Sequence, residues 1–365
     1  MRTCSLVHYL ARDFDLDLIL FRQAGDSDPA LSLPPGLVRR SDTVTLPFHS
    51  RRAAAWIVRN GYRWLKGVPP LLDRFGGQAD AIGGILGGRK YELGIIEHFW
   101  CAPYVEQLSI VCRRIVLDLH KVESALHNSC AKTRHSLSGL AHRRFARACL
   151  DQERRWLPRF SKILTPSESD ARRLPVPADV YPNALPFFPI PVAPEDDAIG
   201  FSANFEYHPN VAGVRFLLGE IWPVLHRRFP SLKLRLIGKN PHMISRYVSA
   251  APNVETTGAI EDAIRELGRV KIAVVPLLSG SGTRIKILEA WAAAKPVIST
   301  TVGAEGIGIQ QDRDILIADT AHDFIESVTA LLGSLERRRR MGCAARHKYE
   351  EEFTWEKAWE KLQLR

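Results

Sequence analysis

Three side chains of complementary chemistry, Arg284, Lys286 and Glu289, follow directly on the run Gly280-Ser281-Gly282-Thr283. A glycine-rich loop that opens a helix presents backbone N–H groups and the positive end of the helix dipole, a combination that suits an anion. That dipole disfavours cations in the first turn, so Arg284 and Lys286 are out of place there unless a negative group sits in front of them. A diphosphate is the simplest such group. Glu289 lies three residues after Lys286 and shares its helix face. A carboxylate behind a phosphate site can accept hydrogen bonds from the two hydroxyls of a ribose. The competing reading is an Arg/Lys–Glu pairing on a solvated helix, which the spacing alone also allows.

These residues need a strand before them and a strand after them. Lys271–Leu277 is an apolar, β-branched run ended by a Ser/Gly cluster, as a buried parallel strand requires. Residues 284–294 are rich in helix formers, Pro296 stops the helix, and residues 297–301 read as the next strand. A βαβ unit of this kind gathers its loops at one sheet edge. Residues 198–203 and 232–238 supply two more strands, and Asn210 reads as the N-cap of a helix over 211–229. Gly303-Ala304-Glu305-Gly306 is a second tight loop at the same edge, placed to close over a base and phosphates.

In the first half, residues 91–97 and 114–119 read as strands. Ligands of open parallel sheets bind beyond the carboxyl ends of strands, so Asp118, His120 and Glu123 are expected to face a ligand, with His98 a further candidate. Residues 51–72 interleave arginine and lysine with Trp56, Ile57, Tyr62, Trp64 and Leu65. That pattern suits the surface of an anionic membrane, and equally a helix that packs its aromatics inward.

The order of residues also carries a resemblance. GSGTRIKILEAWAAAKPVISTTVGAEGI resembles the donor-binding segment of the family 4 (group 1) retaining glycosyltransferases, and VLDLHKVESAL is similar to their DxHxxES segment. The resemblance implies an α/β chain of GT-B fold: two Rossmann-like, doubly wound parallel-sheet domains facing a cleft. It implies a nucleotide-diphosphate sugar as co-substrate, no cofactor and no metal. Gly280, Ser281, Gly282 and Thr283 would wrap the diphosphate, Arg284 and Lys286 would neutralise it, and Glu289 would hold the ribose. Gly238 and Ala203 would line the nucleotide through their backbones, with Gly303 and Glu305 closing over it. His120 would sit beside the donor sugar. The chain departs from the family pattern at Ser281, where a glutamate is usual, at Ala203 in place of glycine, and at Lys121 in place of asparagine.

Length and composition agree with two domains. The 365 residues are 45% apolar and 25% charged, which describes a folded chain with no apolar run near the roughly 20 residues of a membrane span. The expected division is residues 1–185, a proline-rich linker 186–197, a nucleotide-sugar domain 198–346, and a crossover helix 347–365. Six cysteines form no CxxC pair, so reduced thiols and a cytoplasmic setting are expected, with a peripheral position on the inner membrane face as the alternative. Of the net charge of +10, residues 1–185 carry +9. An anionic membrane surface or a lipid-linked phosphate fits that excess, the resemblance implies a glycan or lipid-linked acceptor, and no nucleic-acid module is evident. The helix over residues 5–10 precedes the strand 16–21, so the first strand and glycine loop of such a domain are expected to be missing. The alternative function is therefore a catalytically inactive GT-B subunit that binds a nucleotide or a partner.

Overall fold

Among the described residues, short runs bounded by turn residues give twelve strands. The computed structural model describes residues 2–48, 52–132, 137–260, 262–279 and 285–364. The chain divides into two units, Met1–Tyr181 and Pro182–Arg365.

In the first unit the helix Arg2–Leu10 leads to β1 (Asp17–Gln23) and β2 (Arg40–Leu46), which pair in parallel from Asp17↔Arg40 to Gln23↔Leu46. A separate parallel sheet holds β3 (Tyr91–Glu97), β4 (Cys112–Asp118), β5 (Lys162–Thr165) and β6 (Asp179–Val180), in that order. Among the described residues no ladder joins β1 to β3. Helices Glu123–Lys132 and Leu137–Trp156 connect β4 to β5.

The second unit is one six-stranded parallel sheet. Its strands are β7 (Ala198–Ser202), β8 (Lys233–Ile237), β9 (Val254–Thr256), β10 (Ile272–Val275), β11 (Val297–Ser299) and β12 (Leu316–Ile317). The order across the sheet is β12-β11-β10-β7-β8-β9. Counted from β7 this is the doubly wound order 3-2-1-4-5-6, and it puts the topological switch between β7 and β10. β7 and β10 are apolar and buried along their pairing length, as strands covered on both faces must be. The core around them includes the fully buried Trp222 and Trp291.

Two local expectations change. Asn210 is not a cap: the helix is His208–Phe216, preceded by Tyr207, and Pro209 in its first turn lets it start early. It then passes through one π-helical turn, Leu217–Ile221, into helix Trp222–Arg228. Residues 347–352 belong to the long helix Leu335–Glu352, and only Trp355–Trp359 forms a separate final helix.

Candidate functional site

In the second unit the carboxyl end of β7 meets helix Ile285–Ala292. Lys286 lies in that helix's first turn and donates from Nζ to Asn210 Oδ1 at 2.8 Å. Its ammonium also sits 5.1 Å from the ring centre of Phe201, a cation–π contact with β7 itself. One turn on, Glu289 accepts a hydrogen bond from Ser202 Oγ at 3.1 Å. Burial pushes the Glu289 carboxyl above its ordinary value, against the pull of Ser202 and Lys286. Lys286 and Glu289 are thus both anchored on the last residues of the switch-point strand. The helix ends as its sequence requires: Ala294 adopts φ 54°, and Lys295 N donates to Ala290 O at 2.9 Å before Pro296. The expected phosphate loop Gly280, Ser281, Gly282, Thr283, together with Arg284, lies outside the described residues.

The surrounding loops are tightly built. Gly238 has φ 134°, and a Cβ there would collide with the Ala203 carbonyl, so only glycine lets the β8 turn close on the β7 turn. Gly303 packs so that a Cβ would lie 2.8 Å from Val275 O at the end of β10. The backbone donors are largely committed. Ala203 N–H donates to Ile237 O at 2.8 Å, Gly238 N–H to Thr257 Oγ1 at 3.2 Å, and Gly303 N–H to Thr300 Oγ1 at 2.8 Å. This corrects the expectation for Ala203: its N–H extends the strand ladder and is not available to a phosphate. Glu305 is half-buried in the same turn, with its N–H toward Val302 O. Sequence reasoning missed Ser202 and Thr300, and missed Asn210 as a partner of Lys286.

In the first unit the carboxyl ends of β3 and β4 carry a second cluster. His120 Nε2 lies 2.7 Å from Glu97 Oε2. Its ring sits 3.8 Å from that of His98, which in turn stacks on Trp100 at 4.2 Å. His98 has φ 70°, an uncommon conformation for a residue with a side chain. Burial drives its pKa down to about 3, helped by His120, Lys121 and Arg2.

Asp118 and Glu123 are buried, which overturns the expectation that they project beyond the strand end. Asp118 is fully buried and paired with Arg2, whose Nε lies 2.8 Å from Oδ2 and whose Nη1 reaches the Tyr181 carbonyl. Burial pushes the Asp118 carboxyl up, and the Arg2 guanidinium pulls against it. Glu123 is buried beside Lys121, 3.5 Å away. Close by, Glu153 accepts from both Ser124 N and Ser124 Oγ at the start of helix Glu123–Lys132, where the dipole favours a carboxylate. Among the described residues, Glu97, Asp118 and His120 form the one group whose ligand atoms are close enough for a metal, within 4.8 Å of one another. The Arg2 cation already occupies the Asp118 side of that group, so the donor set does not fit a divalent ion.

Comparison with known proteins follows the same lines. Residues 196–334 match the family described as "Glycosyl transferases group 1". A Klebsiella pneumoniae protein described as an uncharacterized 44.6 kDa protein in the cps region is 27% identical over 127 residues, and the match spans a third of each chain. The fold is similar to that of sucrose-phosphate synthase from Thermosynechococcus elongatus, with TM-score 0.69, 17% identity, and 98% of this chain and 90% of that one covered. It is similar also to Anabaena HepE, solved with UDP and glucose, with TM-score 0.64, 13% identity and coverage of 98% and 94%. S. aureus TarM, solved with UDP, matches at TM-score 0.60 and 11% identity, over 78% of this chain and 58% of that one. The chain has the GT-B fold, with two parallel-sheet α/β domains, and residues 196–334 match the group 1 glycosyl transferase family.

Proposed function

We propose that this protein is a glycosyltransferase that moves a sugar from a nucleotide-diphosphate sugar to a glycan or lipid-linked acceptor, with retention and without a metal ion. The observation that carries the reading is the joint anchoring of Lys286 and Glu289 on the carboxyl end of β7. Ligands of doubly wound sheets bind at this switch point, and two proteins of similar fold were solved in complex with UDP. In the reaction the bond between the anomeric carbon and the diphosphate oxygen breaks, and an acceptor oxygen bonds to that carbon on the same face. The leaving diphosphate gains charge, which Lys286, Arg284 and the N–H groups of residues 280–284 would stabilise, the kind of preorganised electrostatics that often dominates catalysis. Glu289 would hold the ribose, and His120, fixed by Glu97, would orient the sugar.

The test is nucleotide release from UDP-, GDP- and ADP-sugars by the wild type and by Arg284→Ala and Lys286→Ala. Both variants should lose most of the rate. Wild-type rates in both would end the diphosphate assignment.

A second reading, a silent subunit that only binds a nucleotide, gains support from the split sheet of the first unit and from Arg2 filling the Asp118 carboxylate. Nucleotide binding without release from any donor, with a broad acceptor panel, would select it.

We also propose that helix Ala53–Lys66 meets an anionic membrane from the cytoplasmic side. Ile57, Val58, Tyr62 and Leu65 are each more than half exposed, beside Lys66, and Trp64 joins them on the surface. Among the described residues no helix is long and apolar enough to cross a membrane, so contact would be interfacial. Flotation with phosphatidylglycerol vesicles, and not with phosphatidylcholine alone, is the expected result. Unchanged flotation for Ile57→Ser/Leu65→Ser would refute it.

A further inference from the structure

Asn210 is a buried polar residue, and both ends of its amide are used. Its Nδ2 donates to the Asn204 carbonyl at 2.8 Å, and its Oδ1 accepts from Lys286 Nζ at 2.8 Å. A carbonyl can only accept, so the bond to Asn204 fixes which way the amide faces and turns Oδ1 toward the lysine. Asn204 is itself held in place. Tyr207 N–H donates to its carbonyl at 3.3 Å, and Asn240 Nδ2 donates to its Oδ1 at 2.9 Å. Asn240 makes that bond from a left-handed φ of 61°, which asparagine tolerates better than most side chains. Phe205 N–H adds a backbone bond to Lys239 O at 3.0 Å, so the turns after β7 and β8 are stitched together behind the amide.

Other lysines of the second unit are held by carboxylates. Lys233 reaches Glu255 at 2.7 Å, Lys271 reaches Asp197 at 2.7 Å, and Lys295 reaches Glu195 at 3.0 Å. A carboxylate partner offsets the charge that it places. The acceptor that Asn210 gives Lys286 is a neutral amide, and the ring face of Phe201 steadies the same ammonium from the strand side. The amide takes one of the ammonium's three donors and leaves its unit charge in place. Glu289, one turn on, is likewise tethered by a neutral group, the Ser202 hydroxyl.

We propose that Asn210 is a positioning residue for the diphosphate: it sets Lys286 in place before the ligand arrives and, being uncharged, leaves the ammonium's charge to the phosphates. This role rests on the reading of the site as a cradle for a nucleoside diphosphate. A lysine that is not held beforehand must be ordered on binding, which weakens the complex. A carboxylate at the same place would hold the lysine but compete with the ligand for its charge. Asn210→Ala, which releases the lysine, should therefore weaken nucleoside diphosphate binding by roughly 2- to 10-fold. Asn210→Asp keeps the shape and the acceptor, adds the competing charge, and should weaken binding by more than about 10-fold.

The experiment titrates the full chain at neutral pH with UDP, GDP and ADP by calorimetry, then with the nucleoside of whichever binds by saturation-transfer NMR. Wild type, Asn210→Ala, Asn210→Asp, Lys286→Met and Asn210→Ala/Lys286→Met are compared, with thermal unfolding of each. Asn210→Asp preserves the shape of the amide, so it reads the effect even where Asn210→Ala unfolds. Both Asn210 variants should lose diphosphate affinity, Asp more than Ala, and keep wild-type affinity for the nucleoside. Once Lys286 is replaced by Met, Asn210→Ala should cost nothing further, because the two side chains act as one unit. Equal losses for diphosphate and nucleoside, additive losses in the double variant, or wild-type affinity in both Asn210 variants would overturn the role of Asn210 alone. Failure of the wild type to bind any of the three nucleotides, or wild-type affinity in Lys286→Met, would overturn the cradle reading and this role with it.

Discussion

Glu289→Gln separates a ligand-holding carboxylate from a structural one. The side chain is half-buried, it accepts a hydrogen bond from Ser202, and burial raises its pKa. A raised pKa means that ionised Glu289 is a burden to the ligand-free fold, so an isosteric amide, which can still accept from Ser202 Oγ, should leave stability unchanged or improved. Nucleotide binding should suffer. Hydrogen bonds to a charged acceptor are worth about 1.5–3 kcal/mol, so losing the charged partner of the ribose hydroxyls should weaken UDP or its counterpart by roughly 10- to 150-fold. The pH dependence has a definite sign. Ligand-free protein retains the Glu289 proton above the ordinary carboxyl range, and the ribose favours the ionised form. Wild-type affinity should therefore tighten as pH rises through that window, and the Gln variant should lose this dependence. Calorimetric titration at two pH values, with thermal unfolding of both proteins, reads all three effects. A Gln variant with lower Tm and unchanged nucleotide affinity would show Glu289 to be a structural group and refute the reasoning.

Gly238→Ala should cost at least about 1–3 kcal/mol from its backbone conformation alone, plus the clash with Ala203. Gly219→Ala, in a helical turn with open space around it, should be neutral or gain up to about 1 kcal/mol; urea unfolding compares them. Arg2→Met should lose about 3–5 kcal/mol by leaving Asp118 buried and unpaired, and Arg2→Met/Asp118→Leu should recover part of it in the same assay. His98 and His127 have folded pKa values of about 3 and about 4, depressed mainly by burial, against an ordinary 6.5. The unfolded chain then binds more protons between those values, so stability is full above pH 6.5 and is lost as pH falls toward 4. At pH 5 each should cost about 2 kcal/mol, and His98→Phe should flatten the Tm–pH slope in proportion.

The second unit was legible because parallel strands buried on both faces are short continuous apolar runs, and β10 and most of β7 and β11 have that form. The pairing of Lys286 and Glu289 on one helix face followed from helical spacing. What spacing could not show is what each meets: Asn210 and Ser202 lie 76 and 87 residues away. Asp118 was misread for the same reason. Its position after an apolar strand points to a ligand edge, but its partner Arg2 is 116 residues distant and no local pattern marks the pair. Asn210 looked like a cap because its residue type suits one, whereas Pro209 moved the helix start ahead of it. The Ala203 N–H looked available because a ladder partner, Ile237, exists only once β7 and β8 are paired.

The central claim is that the carboxyl end of β7 and helix Ile285–Ala292 cradle a nucleoside diphosphate. A crystal structure of the chain soaked with UDP, GDP or ADP tests it most directly. The account predicts the diphosphate within hydrogen-bond reach of Lys286 Nζ and the ribose hydroxyls on Glu289. A nucleotide bound elsewhere, with Lys286 Nζ still on Asn210 Oδ1, would contradict it.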